Sequence, residues 1–286
     1  MKIHQIDVSC DPDFLRSWIG RSEIATDMIS ARQAKLMAAT VDFEDDQFEI
    51  GSELPPLWTW IYFLKAERAS NLGRDGHPHR GGFLPPVGLP LRMWAGGRFV
   101  FHNPVLIGMQ VEKRSTIRDV VCKQGKSGAL IFVTVQHDLF CDGLHLLEEQ
   151  QDIVYREAPK AGNANANGQT APEGKPDWQE KLETDSTLLF RYSALTFNGH
   201  RIHYDANYAR EVEGYEGLVV HGPLIATLLA NNATKHRSGG TLVKYEYRGI
   251  APMFVPGTII FSGKGGEIMA MNQEHEPVMK GFIAFT

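Results

Sequence analysis

Cysteine is scarce in this chain, and its three residues, Cys10, Cys122 and Cys141, are widely spaced with no Cys-x-x-Cys pair. A set that is odd in number and scattered supports neither a disulfide framework nor a thiolate zinc site. Long apolar runs are missing too, since none approaches the roughly 20 residues needed to span a bilayer. The N-terminus lacks the apolar core of a signal peptide. A reducing, cytoplasmic location without membrane contact is therefore expected.

An excess of basic residues is also lacking, because 29 Lys and Arg stand against 34 Asp and Glu, a formal net charge of -5. Nucleic-acid affinity rests on clustered Lys and Arg, so no nucleic-acid partner is expected. The 43% hydrophobic and 22% charged residues are those of a globular protein with a full core.

One stretch has no aromatic or large aliphatic side chain, the segment from Pro159 to Pro176. Such a segment cannot bury enough apolar surface to offset its ordering entropy. The composition predicts a flexible linker over 159–176, with an N-terminal half at 1–158 and a C-terminal half at 177–286.

Each half contains one long predicted helix. Ser30 to Gln33 is a capping-box pattern ahead of Ala34–Val41, and Gly222-Pro223 opens an apolar run that continues to Ala230. Runs rich in β-branched and aromatic residues predict strands at 98–101, 111–117, 129–135, 242–248, 258–262 and 267–271. A helix followed by antiparallel strands, twice, indicates an α+β duplication, inferred from element order alone.

Two segments of the C-terminal half carry unusual chemistry. Residues 198–205 read Asn-Gly-His-Arg-Ile-His-Tyr-Asp, and residues 217–223 read Gly-Leu-Val-Val-His-Gly-Pro. The second segment runs a strand-like stretch into a helix start, whose free N–H groups and dipole favour negative charge. A developing enolate oxygen carries such charge.

These two segments resemble the hydratase motif and the His-Gly turn of the MaoC-like, R-specific enoyl-CoA hydratases. In that family an Asp precedes the active-site His by five residues; here His203 matches the histidine and Asn198 stands where the Asp is expected. His200 occupies the usual Asn position, and Gly222 the position whose N–H holds the thioester oxygen. The amide of Asn198 cannot act as an acid or base, which departs from the pattern.

The chain as a whole resembles a narrower branch, the mesaconyl-C4-CoA and itaconyl-CoA hydratases. The stretches at 18–21, 54–58, 80–87 and 92–97 look like signatures of its first half. The resemblance implies an α+β double hot-dog, in which each half is a long helix wrapped by an antiparallel sheet. One half would keep the catalytic residues and the other would shape the acyl-CoA tunnel.

The implied reaction is reversible hydration of an enoyl-CoA. His203 would act as general base toward water, Asn198 would hold that water by its carbonyl, and the Gly222 N–H would polarise the thioester. Candidate substrate-binding residues are His200, Tyr204, His221, Arg80 and Arg92. For several of them a structural role is an open alternative: a turn for Asn198, a structural hydrogen bond for His200 and a structural role for His221. Asp205 is expected to pair with Arg201.

No metal is expected, since His200, His203 and His221 lack a convincing fourth ligand. No cofactor is expected either, because CoA belongs to the substrate. Two other function classes stay open: a hot-dog thioesterase, which would need a carboxylate that the motif lacks, and a non-catalytic acyl-CoA binding protein, which Asn198 would permit. The sequence leaves the acyl group and a homodimeric state undecided.

Overall fold

The computed structural model describes residues 11–44, 47–125, 128–157 and 174–286. The predicted linker at 159–176 lies outside these ranges except for its last three residues, and Cys10 also lies outside them. Residues 11–157 are called the N-terminal half below, and residues 174–286 the C-terminal half.

Antiparallel strands dominate the described residues. In chain order they are β1 (Ser22–Met28), β2 (Leu91–Phe101), β3 (Gln110–Gly125), β4 (Gly128–Cys141), β5 (Leu144–Arg156), β6 (Trp178–Thr184), β7 (Leu218–Val219), β8 (Leu242–Gly249), β9 (Phe254–Val255), β10 (Gly257–Lys264), β11 (Glu267–Met271) and β12 (Pro277–Phe285). The helices are α1 (Pro12–Arg16), α2 (Ala31–Val41), α3 (Ser186–Leu195), α4 (Ala206–Glu211) and α5 (Gly222–Lys235). Short 3-10 turns occupy Trp58–Ile61, Ala69–Asn71 and Arg201–His203.

Ten of these strands form one sheet in the order β1-β3-β4-β5-β2-β8-β12-β11-β10-β6. The first five come from the N-terminal half and the last five from the C-terminal half. The halves meet where β2 pairs with β8 in antiparallel register, from Gly96 opposite Arg248 to Val100 opposite Lys244. Main-chain hydrogen bonds therefore join the two halves into a single sheet.

Helix α5 lies across the C-terminal half of this sheet and contacts β8, β10, β11 and β12. It is apolar on nearly all sides, and Leu224, Ala226 and Leu229 are fully buried, as expected for a helix enclosed by a sheet. The Tyr245 hydroxyl on β8 donates a hydrogen bond to the Ala226 carbonyl (2.9 Å). Helix and sheet are thus connected by a polar contact inside an apolar core.

Helix α2 begins as the capping pattern predicts. The Ser30 hydroxyl accepts a hydrogen bond from the Gln33 N–H (3.4 Å). The Gln33 side chain does not return to Ser30; it donates to the carbonyls of Ile61 (3.1 Å) and Leu195 (3.2 Å), the latter at the end of α3. This residue therefore contributes to contact between the two halves. None of the helices in the described ranges is long and apolar enough to cross a membrane.

The structure confirms both predicted helices and all the predicted strand runs, each of which lies within one of β2, β3, β4, β8, β10 and β11. The proposed element order within each half was wrong in one respect. Strand β1 precedes α2, and β6 with α3 precede α5, so neither half begins with its long helix. β1 pairs with β3 and β6 with β10, which places these early strands at the two outer edges of the sheet.

We expect Gly96→Ala to destabilise the protein, because a Cβ at this position in β2 would lie 2.5 Å from the Tyr247 carbonyl oxygen of β8. Overpacking of this kind costs about 1–3 kcal/mol. Gly82→Ala is the matched control, since its Cβ would meet nothing within 4 Å. Urea unfolding should show a lower midpoint for Gly96→Ala alone. Equal midpoints for the two variants would contradict this account of the β2–β8 contact.

Candidate active site

The loop between α3 and α4 places the first histidine segment. The Asn198 side-chain oxygen accepts a hydrogen bond from the His200 N–H (3.0 Å), which folds residues 198–200 into a tight turn. Asp205 accepts from the Tyr208 N–H (3.0 Å) at the start of α4 and pairs with Arg201 (2.6 Å), as expected. Both ends of the loop are therefore held by side chains of the motif itself.

His203 is buried, with 7% of its surface exposed. Its Nδ1 lies 2.7 Å from the Val219 carbonyl oxygen. A carbonyl only accepts, so Nδ1 carries the proton and Nε2 keeps a free lone pair in the neutral ring. Burial lowers the pKa of His203 to about 3, with a smaller contribution in the same direction from His200. The ring is thus a neutral base with a defined tautomer.

His221 supports His203 from the other side. The two rings stack at a centroid distance of 3.6 Å, and His221 Nε2 lies 2.8 Å from the Ser193 hydroxyl oxygen. Burial lowers the pKa of His221 well below its usual value. With 1% of its surface exposed, His221 does not line the cleft described below.

Gly222 is the first residue of α5, and Pro223, which has no N–H, follows it. No described residue accepts a hydrogen bond from the Gly222 N–H, and a Cβ at Gly222 would meet nothing within 4 Å. Gly222 also lines the cleft described below, and an unpaired N–H at the positive end of a 14-residue helix can donate to an anionic oxygen.

A cleft of about 2070 Å³ brings most of the predicted site residues together. It is lined by both halves. Among the predicted residues, Asn198, His200, His203, Tyr204, Gly222 and Arg92 line it, whereas His221 and Arg80 do not. The Tyr204 hydroxyl donates to the Gly199 carbonyl (3.0 Å), and the side chain is half-exposed.

The two predicted arginines occupy different environments. The Arg80 guanidinium donates to the carbonyls of Val87, Leu89 and Pro90, so it holds its own loop together. Arg92, by contrast, lines the cleft. Its charge helps to lower the pKa of His77, so it lies within electrostatic reach of that ring.

Sequence reasoning missed Asp75, His77 and Glu213, which also belong to this site. His77 Nδ1 lies 3.1 Å from an Asp75 carboxylate oxygen, and the His77 ring lies 4.2 Å from that of His200. His200 Nε2 in turn lies 3.3 Å from a Glu213 oxygen. The polar residues of Asp75-Gly76-His77 could have indicated a functional segment. Only the fold, however, brings this segment next to the histidine loop, which lies some 120 residues later in the sequence.

A second polar group, on the N-terminal half of the sheet, was also missed. Lys113, His137, Glu149 and Gln151 line the cleft on β3, β4 and β5. Glu149 is fully buried, which raises its pKa to about 7, although the Trp60 indole donates to it (2.9 Å). Glu149 could have been found from the sequence, because it is a glutamate at an inward position of the alternating strand run 144–156.

Two groups of described side chains place metal-ligating atoms within 4.8 Å of one another: Asp75, His77 and His200, and separately His102, His145 and Glu148. In the first group each imidazole already has a carboxylate partner, from Asp75 or Glu213. The histidine trio considered from the sequence, His200, His203 and His221, is not one of these groups.

The family model for hydroxyacyl-thioester dehydratase type 2 matches residues 57–255. The chain belongs to this family. It is 45% identical over 238 residues to a mesaconyl-C(4)-CoA hydratase of Chloroflexus aurantiacus, covering 83% of this chain and 84% of that one. It is 25% identical to a mitochondrial hydroxyacyl-thioester dehydratase type 2 of Schizosaccharomyces pombe, covering 71% and 75% of the two chains.

Solved structures agree on the fold. A MaoC-like dehydratase from Phytophthora capsici superposes with a TM-score of 0.70 at 16% identity, over 96% of this chain and 98% of that one. A Mycobacterium tuberculosis protein described as a double hot-dog gives a TM-score of 0.58 at 14% identity, over 93% and 95% of the chains. The predictions of an α+β double hot-dog, of the MaoC-like family and of a hydro-lyase acting on acyl-CoA are confirmed.

We expect Gly76→Ala to impair the site. Gly76 has a φ of +87°, and a Cβ there would overlap the Gly199 carbonyl oxygen in the histidine loop. Gly51→Ala is the control, since Gly51 has a φ of +91° but nothing within 4 Å. Both variants carry similar backbone strain, so only Gly76→Ala should lower kcat, by about tenfold to a hundredfold for a displaced site. Equal kcat values would show that the loop contact is unimportant.

Acid should destabilise the folded protein. Burial is the main cause of the lowered pKa values of His77 (about 4), His137 (about 4), His203 (about 3) and His221. As the pH falls below 6.5, the unfolded chain protonates these rings while the folded chain does not, so stability is lost down to about pH 4. Glu149, with its pKa raised to about 7, opposes this change but is a single group. Urea unfolding at pH 7.5, 6 and 5 should give a falling free energy; a constant value would contradict the burial of these rings as neutral groups.

Proposed function

We propose that the chain catalyses the reversible addition of water to a short 2-enoyl-CoA thioester that carries a second carboxylate, such as mesaconyl-CoA or itaconyl-CoA. One observation carries the proposal: the cleft is lined both by His203, with its free Nε2 lone pair, and by Gly222, with an unpaired N–H. A base and an oxyanion donor are what hydration of a conjugated thioester requires.

In the hydration direction, His203 Nε2 takes a proton from water as the water oxygen bonds to the β-carbon. The electron pair of the double bond moves toward the thioester, and the Gly222 N–H stabilises the resulting enolate oxygen. The His203 imidazolium then returns the proton to the α-carbon, so one water is added in total. The enolate charge favours the imidazolium while it exists, which compensates for the low pKa of His203 in the empty site.

Asn198 enters this proposal as the residue that shapes the histidine loop. Its side-chain oxygen already accepts the His200 N–H, and an amide does not act as an acid or a base at neutral pH. Tyr204 and His200 line the cleft beside it and remain candidates for contact with the acyl group.

Two observations support a second carboxylate on the substrate: the position of Arg92 and the name of the Chloroflexus relative. The mesaconyl group in the name of the Chloroflexus relative is dicarboxylic. Arg92 supplies a guanidinium on the same cleft as His203, and guanidinium groups bind carboxylates in a fork geometry. The reaction needs no cofactor besides the CoA of the substrate. A cytoplasmic location remains our expectation, and a homodimeric state stays undecided.

The test is a direct assay of the purified protein with crotonyl-CoA and mesaconyl-C4-CoA. Loss of the conjugated thioester absorbance without release of free thiol is the expected result, with the dicarboxylic thioester turned over faster. Thiol release would indicate a thioesterase. Binding without either signal would indicate a non-catalytic acyl-CoA protein, and faster turnover of crotonyl-CoA would remove Arg92 from substrate selection.

We expect His203→Gln to fold normally and to lose at least about a hundredfold in kcat, the usual contribution of a positioned general base. The glutamine side chain can still hydrogen-bond but cannot take a proton. His236→Gln is the control, because His236 is exposed and does not line the cleft. Unchanged turnover in a folded His203→Gln protein would exclude His203 as the base.

A further inference from the structure

We propose that His77, oriented by Asp75, is a catalytic residue supplied by the N-terminal half. In this proposal His77 Nε2 accepts a hydrogen bond from the same water that His203 deprotonates. The inference rests on the proposed hydration reaction, and it assigns to the N-terminal half a direct part in the chemistry and not only in shaping the cleft.

Asp75 fixes the orientation of the His77 ring. One Asp75 oxygen accepts the His77 backbone N–H and the other lies beside His77 Nδ1, both at 3.1 Å. The carboxylate only accepts, so Nδ1 carries the ring proton and Nε2 keeps its lone pair. His77 lines the cleft with 16% of its side chain exposed. A neutral ring with a fixed acceptor nitrogen therefore reaches the reaction space.

The loop that carries His77 packs against the histidine loop of the C-terminal half. The Arg201 N–H donates to the Asp75 carbonyl (2.9 Å), and the Arg201 guanidinium donates to the Arg74 carbonyl (3.2 Å). Gly76 lies against Gly199 so closely that neither has room for a side chain facing the other. The position of His77 relative to His203 is thus set by contacts between the two loop backbones and by the Arg201 guanidinium.

This packing between the two loops creates a row of four histidine rings. His77 lies 4.2 Å from His200, His200 lies 5.5 Å from His203, and His203 lies 3.6 Å from His221, all between ring centroids. The charge on His77 would lower the pKa of His203, so the two rings are within electrostatic reach of each other.

The attacking water needs a second hydrogen-bond acceptor besides His203. A water that attacks carbon must have its two hydrogens directed at acceptors, so that its lone pair faces the substrate. His203 Nε2 is one acceptor. The Asn198 oxygen, the other acceptor suggested by the motif, already uses one of its two lone pairs to accept the His200 N–H, which directs this oxygen toward its own turn. His77 also lines the cleft, and its Nε2 is a second nitrogen acceptor. The other ring nitrogen, Nδ1, is paired with Asp75.

The proton balance is unchanged by this assignment. His203 takes one hydrogen of the water as the C–O bond forms, and the same proton is returned to the α-carbon. The other hydrogen stays on oxygen and becomes the hydroxyl of the product. It donates to His77 Nε2 throughout, so His77 undergoes no net protonation.

The experiment compares His77→Phe, Asp75→Asn and His79→Phe in the full chain. Phenylalanine keeps a ring against His200 but has no acceptor nitrogen. His79 is an exposed histidine two residues away on the same loop, which makes its variant the matched control. We expect His77→Phe to lower kcat by about a hundredfold with KM changed less than threefold, the scale of a misplaced reactant. Asp75→Asn should lower kcat less, and His79→Phe should match the wild type.

Chemical rescue separates catalysis from a structural role. Added imidazole should restore part of the kcat of His77→Ala, because it can supply the missing acceptor in the vacated space, and should not change His79→Ala. Where His77→Phe does not fold, His77→Ala with imidazole gives the same answer. Wild-type kcat in folded His77→Phe, or a loss in His77→Ala without any rescue, overturns the inference. A wild-type protein that hydrates no enoyl-CoA overturns the proposed function, and this inference with it.

Discussion

The site depends on the burial of a row of four imidazole rings, those of His77, His200, His203 and His221. Burial is the main cause of the lowered pKa in three of them, His77, His203 and His221, so these rings are held as neutral bases. A neutral imidazole has one donor and one acceptor nitrogen. The Val219 carbonyl and the Asp75 carboxylate accept from the donor nitrogens of His203 and His77, which fixes where the lone pairs lie. A low dielectric and two acceptor atoms thus decide the tautomers that the chemistry uses.

The same row connects the fold to the function, because it crosses from one half of the chain to the other. His77 belongs to the N-terminal half, and the other three rings belong to the C-terminal half. They meet only because Gly76 can lie against Gly199 and because Arg201 bridges to the carbonyls of Arg74 and Asp75. Packing between the halves therefore does more than bury apolar area, since it also aligns hydrogen-bonding groups over short distances.

Local patterns in the sequence predicted much of this structure, and long-range contacts account for the rest. Helix α5, His203 and Gly222 were predicted from short motifs. Each motif depends only on residues that are close together in the sequence, so no long-range contact is needed to recognise it. Arg80 looked equivalent to Arg92 in the sequence, yet only Arg92 lines the cleft, because Arg80 donates to carbonyls of its own loop. Asp75 and His77 could not be placed in the site, because the residues that they contact in the histidine loop, Arg201 and His200, are more than 120 residues away and no periodicity predicts such contacts.

The pairing of β2 with β8 has a consequence for how such a chain could have arisen. Each of these strands lies at the inner end of a five-stranded half, so separating the halves would leave each with a long unpaired edge. Unpaired edges are templates for pairing with another chain, and the simplest partner would be a second copy of the same half. Two identical halves joined edge to edge would give the same ten-stranded layout with no connection between them. The continuous sheet therefore has the layout of a symmetric dimer whose interface lies within one polypeptide, which is free to place unlike residues on its two sides.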